Sequence, residues 1–365
     1  MQMDYNEHFD VPENIIYLNT PGNGLMPKSH HIWRQHRDAA FFAPSGMLRE
    51  QQGEFITEVK KDIAELFHCS TDRTFCVPNF SFGFNTLIEG FSADTSFALI
   101  SEDYPSLNYP IISRGFPHFY IEANENLEEN IFNAVTENKP NVLLLSIVQY
   151  ITGLKVNLDF IKKLKVAFPD LIIIGDATQF LGTEPFDFDN SGFDAVGTSG
   201  YKWMMAGFGN GFLMISKDLA SKIYEDAQSR PRPQEGMWAK KSILDTYFEP
   251  GHQDTLSHGT LQQSIRFLKG IGLENIQQHI HRLSMLAYDE LTSRDLILPF
   301  IKTKEIKSSL INIQIPQDFY PALLADGLKC FPRGTGIRIG IHLYNNEIDI
   351  EKLIQLIDKH TWNSK

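Results

Sequence analysis

Four short stretches hold residue types that react, bind anions or carry a charge into an apolar setting. In Ala195-Val-Gly-Thr-Ser199-Gly-Tyr201-Lys202-Trp203 a short strand-like run ends in small hydroxyl residues, then a lysine between bulky side chains. Apolar surroundings disfavour an ammonium, lower its pKa and leave an amine able to attack an aldehyde. A surface lysine after a turn is the plainer reading. In Leu171-Ile-Ile-Ile-Gly-Asp176-Ala-Thr-Gln179 an apolar strand ends in a carboxylate. Ligands in open α/β sheets bind beyond the carboxyl ends of strands, although a turn or cap residue would look the same. Asn79-Phe80-Ser81-Phe82-Gly83 opens a helical pattern. Its free N–H groups and hydroxyl would suit an anion, or Ser81 is an ordinary cap. In Gly334-Thr-Gly336-Ile-Arg338-Ile-Gly340 an arginine interrupts a strand-like run. Burying it without an anion is costly, and its planar fork matches a carboxylate; an edge strand facing water is the alternative.

Positioning such groups requires a rigid scaffold, and the apolar pattern supplies one. Phe75–Val77, Phe97–Ile100, Val142–Leu145, Leu171–Ile174 and Phe212–Ile215 read as buried strands. Continuous runs of this kind fit a parallel or mixed sheet covered on both faces. Between them, Ile56, Val59, Ile63, Leu66 and Phe67 share one helical face, and Phe84, Leu87, Ile88 and Phe91 share another. Helical patterns resume from about Leu261 to Leu291. Strand-like Leu310–Ile315 and Gly336–His342 and a last helix, Glu347–Ile357, complete a smaller α+β unit. Arg230-Pro-Arg-Pro-Gln-Glu-Gly236 is poor in apolar residues and reads as a surface loop. The expected fold is therefore α/β, a large domain over residues 15–260 and a small C-terminal domain over 261–365. Residues 1–14 are expected to pack on the small domain.

The 365 residues are 42% hydrophobic and carry a formal net charge of −12. An acidic chain has no general attraction to phosphate backbones, so nucleic acid is not an expected partner. Cys69, Cys76 and Cys330 match neither a zinc pattern nor a disulfide framework. The polar start of the chain lacks the features of a signal peptide, and no apolar run is long enough for a membrane span. These features fit a cytoplasmic protein with no bound metal. Tyr17-Leu-Asn-Thr20-Pro-Gly-Asn-Gly24 has neither dinucleotide nor P-loop glycine spacing.

Taken together, these residues resemble the class V aminotransferases, a branch of the fold-type I pyridoxal-phosphate-dependent transferases that also holds cysteine desulfurases, kynureninases and isopenicillin N epimerase-like proteins. The likeness runs from Tyr17 to Leu356, and its most specific part is Asp176-x-x-Gln179 followed by Ser199-Gly-x-Lys202. Tyr17–Gly24 and Ser257-His-Gly259-Thr260 add to it. The resemblance implies a mostly parallel central sheet between helices and a pyridoxal 5'-phosphate cofactor bonded through Lys202, which also moves the substrate Cα proton. Asp176 would stand against the pyridine nitrogen and Gln179 beside the phenolic oxygen. Ser81, the backbone at Phe80 and Phe82, Ser199 and Tyr201 would hold the phosphate, and Tyr104 would stack on the ring. Thr260 would reach the phosphate of a second subunit, implying a homodimer with shared sites. Arg338 would bind the α-carboxylate of an amino acid or keto acid. Departures fall at Tyr150, where desulfurases often carry asparagine, at Tyr201, which replaces a common histidine, and at Leu261, where proline is frequent.

Which Cα bond breaks is not written in these motifs. Desulfurases need a nucleophilic cysteine on a mobile loop, whereas Cys330 sits in Leu328-Lys-Cys-Phe-Pro332, a strand edge entering a turn. Transamination is the expected reaction, with epimerisation or β-elimination (a C–S or β-lyase) as alternatives. A ligand-binding protein that keeps the fold without catalysis is the rival of another class.

Overall fold

The computed structural model describes residues 5–43, 47–232, 234–236, 238–239 and 241–362. Twelve strands follow in chain order: β1 (Ile16–Tyr17), β2 (Thr74–Val77), β3 (Phe97–Ile100), β4 (His118–Ile121), β5 (Val142–Ser146), β6 (Ile172–Asp176), β7 (Ala195–Ser199), β8 (Gly211–Ile215), β9 (Leu310–Ile313), β10 (Leu328–Lys329), β11 (Phe331–Arg333) and β12 (Gly336–Gly340). Seven of them form one sheet in the order β2-β8-β7-β6-β5-β3-β4. Only β8 runs against its neighbours; the other pairings are parallel. Strands β2, β3, β7 and β8 are buried throughout, as continuous apolar runs require when helices cover both faces. Strand β4 was not legible in the apolar pattern, because at this sheet edge only Ile121 of its four residues is buried.

The connections open a crevice at the carboxyl ends of the strands. From β3 the chain passes through helix Pro105–Ser113 to β4 on one side. From β5 it passes through helix Leu158–Ala167 to β6 on the other side. Loops leaving β3 and β5 therefore diverge, which is the topological switch point where α/β sheets hold ligands. Asp176 and Ser199 are the last residues of β6 and β7, beside this crevice. Helix Phe80–Glu89 starts directly after β2, and Asn79 rather than Ser81 caps it, accepting the Phe82 N–H at 2.9 Å.

The C-terminal sheet has the order β11-β12-β9, and β1 pairs parallel with β10. The pairing continues past β1: the Gly340 N–H donates to the Leu18 carbonyl, and Asn19 bridges Gly340. The N-terminal segment thus joins the C-terminal unit through residues 16–19, beyond the expected 1–14; residues 1–4 lie outside the described residues. Residues 260 and 261, the expected division, are consecutive in one helix, Thr255–Ile271, which packs on helix Leu48–Leu66. Strands β9 and β12 end two residues earlier than their apolar runs, and the last helix extends to Trp362. Among the described residues no helix is long and apolar enough to cross a membrane.

From the C-terminal sheet the N-terminal segment passes directly to the lysine loop. Gly24 N–H donates to the Tyr201 carbonyl at 2.8 Å, and a Cβ at Gly24 would lie 1.9 Å from the Lys202 carbonyl oxygen. Only glycine allows that backbone contact. Gly24→Ala is expected to cost about 1–3 kcal/mol in urea unfolding; unchanged stability would show that the contact carries no weight.

Candidate active site

The backbone around Lys202 is tied down on several sides. The Lys202 carbonyl accepts the Met205 N–H at 3.0 Å, and the Gly200 carbonyl accepts the Ala206 N–H at 2.8 Å. Next in sequence, Trp203 is fully buried and donates its indole N–H to Gln179 Oε1 at 2.6 Å. Its carbonyl meets His342 Nε2 at 2.8 Å, while His342 Nδ1 accepts the Leu343 N–H at 2.7 Å. His342 is therefore the neutral Nε2–H tautomer, in keeping with a pKa that burial lowers to about 4.

This clamp leaves the Lys202 side chain only 7% exposed. Nζ lies 5.6 Å from the centre of the Tyr104 ring and 5.4 Å from that of Tyr201. Burial lowers its pKa to about 8; Asp176 opposes that shift, and the charges of Arg338 and Arg333 add to it. Asp176 is the counterpart. Burial pushes its carboxyl up to about 6, against hydrogen bonding from Thr178 and the charge of Lys202. Its hydrogen bond among the described residues comes from the Thr178 N–H at 2.8 Å.

Around these two groups lies a cavity of about 420 Å³. Asn79, Phe80 and Ser81 line it from the helix start, Tyr104, Ser146, Val148 and Tyr150 from the loops after β3 and β5. Asp176, Thr178, Gln179, Ser199, Tyr201 and Lys202 line the rest, with Phe208 and Gly209. Tyr104 and Tyr150 meet edge to face with centroids 5.1 Å apart, and Phe208 stacks on Tyr201 at 4.7 Å.

Seven of the residues singled out from sequence meet here: Ser81, Tyr104, Asp176, Gln179, Ser199, Tyr201 and Lys202. Their partners refine the expectations. Ser199 Oγ accepts the Phe80 N–H at 3.0 Å, so that N–H is not free for an anion. The Phe82 N–H is taken by Asn79, and the Phe82 side chain is 40% exposed and outside the cavity lining. At this turn the Ser81 N–H and hydroxyl and the Asn79 side-chain N–H groups are left open among the described residues. Gln179 has one amide N–H to spare, since Nε2 also donates to the Pro21 carbonyl at 3.1 Å. Thr260 departs from expectation. It is fully buried within its own chain, donates to the Leu256 carbonyl at 2.7 Å and accepts from Arg34 Nη1 at 2.8 Å. Its hydroxyl has no exposed surface with which to touch a second subunit.

Arg338 approaches from the C-terminal sheet. It is 4% exposed, Nη1 donates to the Tyr150 carbonyl at 2.7 Å, and Nε has no partner among the described residues. Burial and then the charge of Arg333 lower its pKa to about 10. Cys330 is buried outside the cavity, its thiol pushed up to about 12 by burial.

The sequence reading passed over Asp103. This buried carboxylate accepts the Ser146 N–H and hydroxyl at 2.7 and 2.6 Å and the Tyr104 N–H at 2.7 Å. It ties the loop after β3 to the end of β5 and holds the backbone of Tyr104. The signal was there: like Asp176, it follows an apolar strand closely. Trp203 and His342 gave no such signal, because their bonds link positions 139 residues apart.

Fold and cavity define the fold-type I architecture of pyridoxal-phosphate-dependent enzymes. The model of the family described as "Aminotransferase class-V" matches residues 115–353, and the chain belongs to that family. An uncharacterised aminotransferase of Schizosaccharomyces pombe is 23% identical over 389 residues, covering 98% of this chain and 92% of the relative. The apo structure of a cysteine desulfurase from Thermococcus onnurineus NA1 matches with a TM-score of 0.84 at 16% identity, over 98% of both chains. The cystine C–S lyase C-DES, in complex with cysteine persulfide, matches with a TM-score of 0.83 at 17% identity, over 95% of this chain and 98% of that one.

The residues present suit pyridoxal phosphate. They offer a desolvated amine, a buried carboxylate free of a direct protein cation, and open donors at Ser81, in a cavity flanked by aromatic rings. The amine gives a pH test. Lys202 should be half neutral near pH 8 rather than at the ordinary 10.5. In protein stripped of any bound aldehyde, reductive alkylation of Lys202 should rise about tenfold per pH unit up to that point and then level off. Mass mapping that finds it still climbing at pH 10, like a surface lysine, would show that the amine is not desolvated.

Proposed function

We propose that this protein is a pyridoxal-phosphate-dependent aminotransferase that exchanges amino groups between an α-amino acid and a keto acid. The observation that carries the reading is the desolvated Lys202 amine and buried Asp176 carboxylate in one cavity, with the Arg338 guanidinium bonded to its wall at the Tyr150 carbonyl and its Nε without a partner among the described residues. When bound, the cofactor supplies an aldehyde that captures amines and a ring that withdraws electrons from Cα. Every other part of the chemistry belongs to side chains. Lys202 Nζ, neutral at mildly alkaline pH, would hold the aldehyde at rest and, once the substrate amine has displaced it, would move the proton off the substrate Cα. Asp176 would favour positive charge on the ring nitrogen, and a cation there would return its carboxyl toward the ionised form. Ser81, Ser199 and Tyr201 would hold the phosphate, Tyr104 would stack on the ring, and the spare Gln179 N–H would serve the phenolic oxygen. Arg338 orients the substrate by a two-bonded grip on its α-carboxylate.

The same residues would serve epimerisation or β-elimination, and C-DES, which shares the fold, is a lyase. Desulfuration through a cysteine nucleophile fits less well, since burial keeps the Cys330 thiol protonated and outside the cavity. The protein works as a homodimer in this reading. Phe208 lines the cavity yet is 69% exposed, and Met26, which flanks Gly207, is 41% exposed. A second copy over these side chains would close the mouth to water.

Three measurements test the assignment. The purified protein should be yellow, should lose that colour with borohydride, and should then carry the pyridoxyl group on Lys202; a colourless protein, or label on another lysine, refutes it. An amino acid added without a keto acid should convert the cofactor to its amine form stoichiometrically. Release of ammonia or sulfide instead points to elimination, and loss of stereochemistry alone to epimerisation. Asp176→Asn should slow the substrate half-reaction about 10²-fold or more, and an unchanged rate would remove Asp176 from the chemistry.

A further inference from the structure

The hairpin that carries Arg338 carries a second guanidinium. Strands β11 and β12 pair antiparallel, with Phe331 opposite Arg338 and Arg333 opposite Gly336. Paired residues share a face and side chains alternate along a strand. Phe331, Arg333 and Arg338 therefore lie on one face, while Ile337 and Ile339 lie on the other and are fully buried. The arginine face meets the loop after β5. Asn312, opposite Arg338 on β9, donates to the carbonyls of Ile151 at 3.0 Å and Arg333 at 2.9 Å. At the hairpin turn Gly334 has φ +57°, and a Cβ there would lie 2.4 Å from Ile151 Cγ2. The turn is thus seated on the residue that follows Tyr150 of the cavity wall.

Neither guanidinium has an acid among the described residues. Five other arginines do, among them Arg73 with Asp189, Arg294 with Asp358 and Arg282 with Glu347. Arg338 is buried with one bonded nitrogen, and Arg333 lies over the Phe331 ring at 4.9 Å on the exposed edge strand. The positive charge of Arg333 is nonetheless felt by Arg338, Tyr150 and Lys202. Two like charges at neighbouring hairpin positions repel each other, and a ligand with two negative groups relieves both.

We propose that Arg333 is a specificity residue which, together with Arg338, selects amino acids carrying a second carboxylate on the side chain. Arg338, fixed to the Tyr150 carbonyl, holds the α-carboxylate. Arg333, anchored only on an aromatic face, takes the distal one. Diagonal positions on a hairpin are roughly 7–8 Å apart, a gap that two long guanidinium side chains close around a short dicarboxylate. This assignment rests on the reading of the cavity as an amino-acid site.

Its test needs no turnover. Glutarate and butyrate are titrated calorimetrically into the holo-protein at one fixed ionic strength, since screening alters such contacts. The wild type should bind the dicarboxylate about tenfold or more tighter, as one added charge-assisted fork provides. Arg333→Gln should bring the two affinities to within about twofold, and Arg333→Lys should fall between, because an ammonium cannot form the fork. Arg338→Gln should weaken both ligands. An Arg333→Gln protein that keeps the wild-type ratio overturns the proposal, as does a wild type that prefers butyrate or binds neither. The two readings separate: if no amino acid changes the cofactor spectrum but the glutarate preference depends on Arg333, amino transfer fails and the dicarboxylate assignment stands.

Discussion

Everything at this site depends on keeping one amine out of water. A lysine side chain has a long, flexible stem and readily carries its charge to the surface. Here it cannot, because the backbone on either side is fully engaged. Gly24 holds the residue before it, Met205 closes the turn after it, and Trp203 is gripped by Gln179 and His342. These partners come from the N-terminal segment, the loop after β6 and the C-terminal unit. The lowered pKa of Lys202 is therefore a property of the whole fold rather than of its immediate neighbours.

The charges near the amine share a second trait: the chain buries them with incomplete compensation. Asp176 is held by the Thr178 backbone and side chain, Arg338 has a single carbonyl, and Asp103 has three donors but no cation. Desolvation raises both carboxyls and lowers the guanidinium. Each group would be cheaper to fold if neutral or paired. Contrast Lys60, equally buried but bonded to Asp245 and Glu249 at 3.0 and 3.1 Å. That cluster is complete and structural, whereas Arg338 Nε at the cavity wall has no partner among the described residues.

The residues easiest to read from sequence were those whose signal is local. A strand ending in Asp176, a hydroxyl-rich turn before Lys202 and a helix start at Asn79 each announce themselves within ten residues. The central strands were legible for the same reason, as unbroken apolar runs with two covered faces. What stayed hidden depends on distant partners or on burial. Strand β4 lacks an apolar run because it lies at the sheet edge. Thr260 sits in a recognisable motif, but its burial beside Arg34 depends on how two distant helices pack. Arg333 drew no attention because its meaning lies in the hairpin register that sets it beside Arg338.

The pairing of the first strand with the last sheet has a consequence for how the chain reaches this state. Strand β1 pairs with β10, and Thr20 bonds to the Gly340 carbonyl across 320 residues of sequence. Contacts that close so long a loop carry a large loop-closure entropy cost, which local helices do not. The segment that seats Gly24 against Lys202 can therefore complete its pairing only once residues 328–340 have been made. The seal over the lysine couples the two ends of the chain, so losing either end removes it.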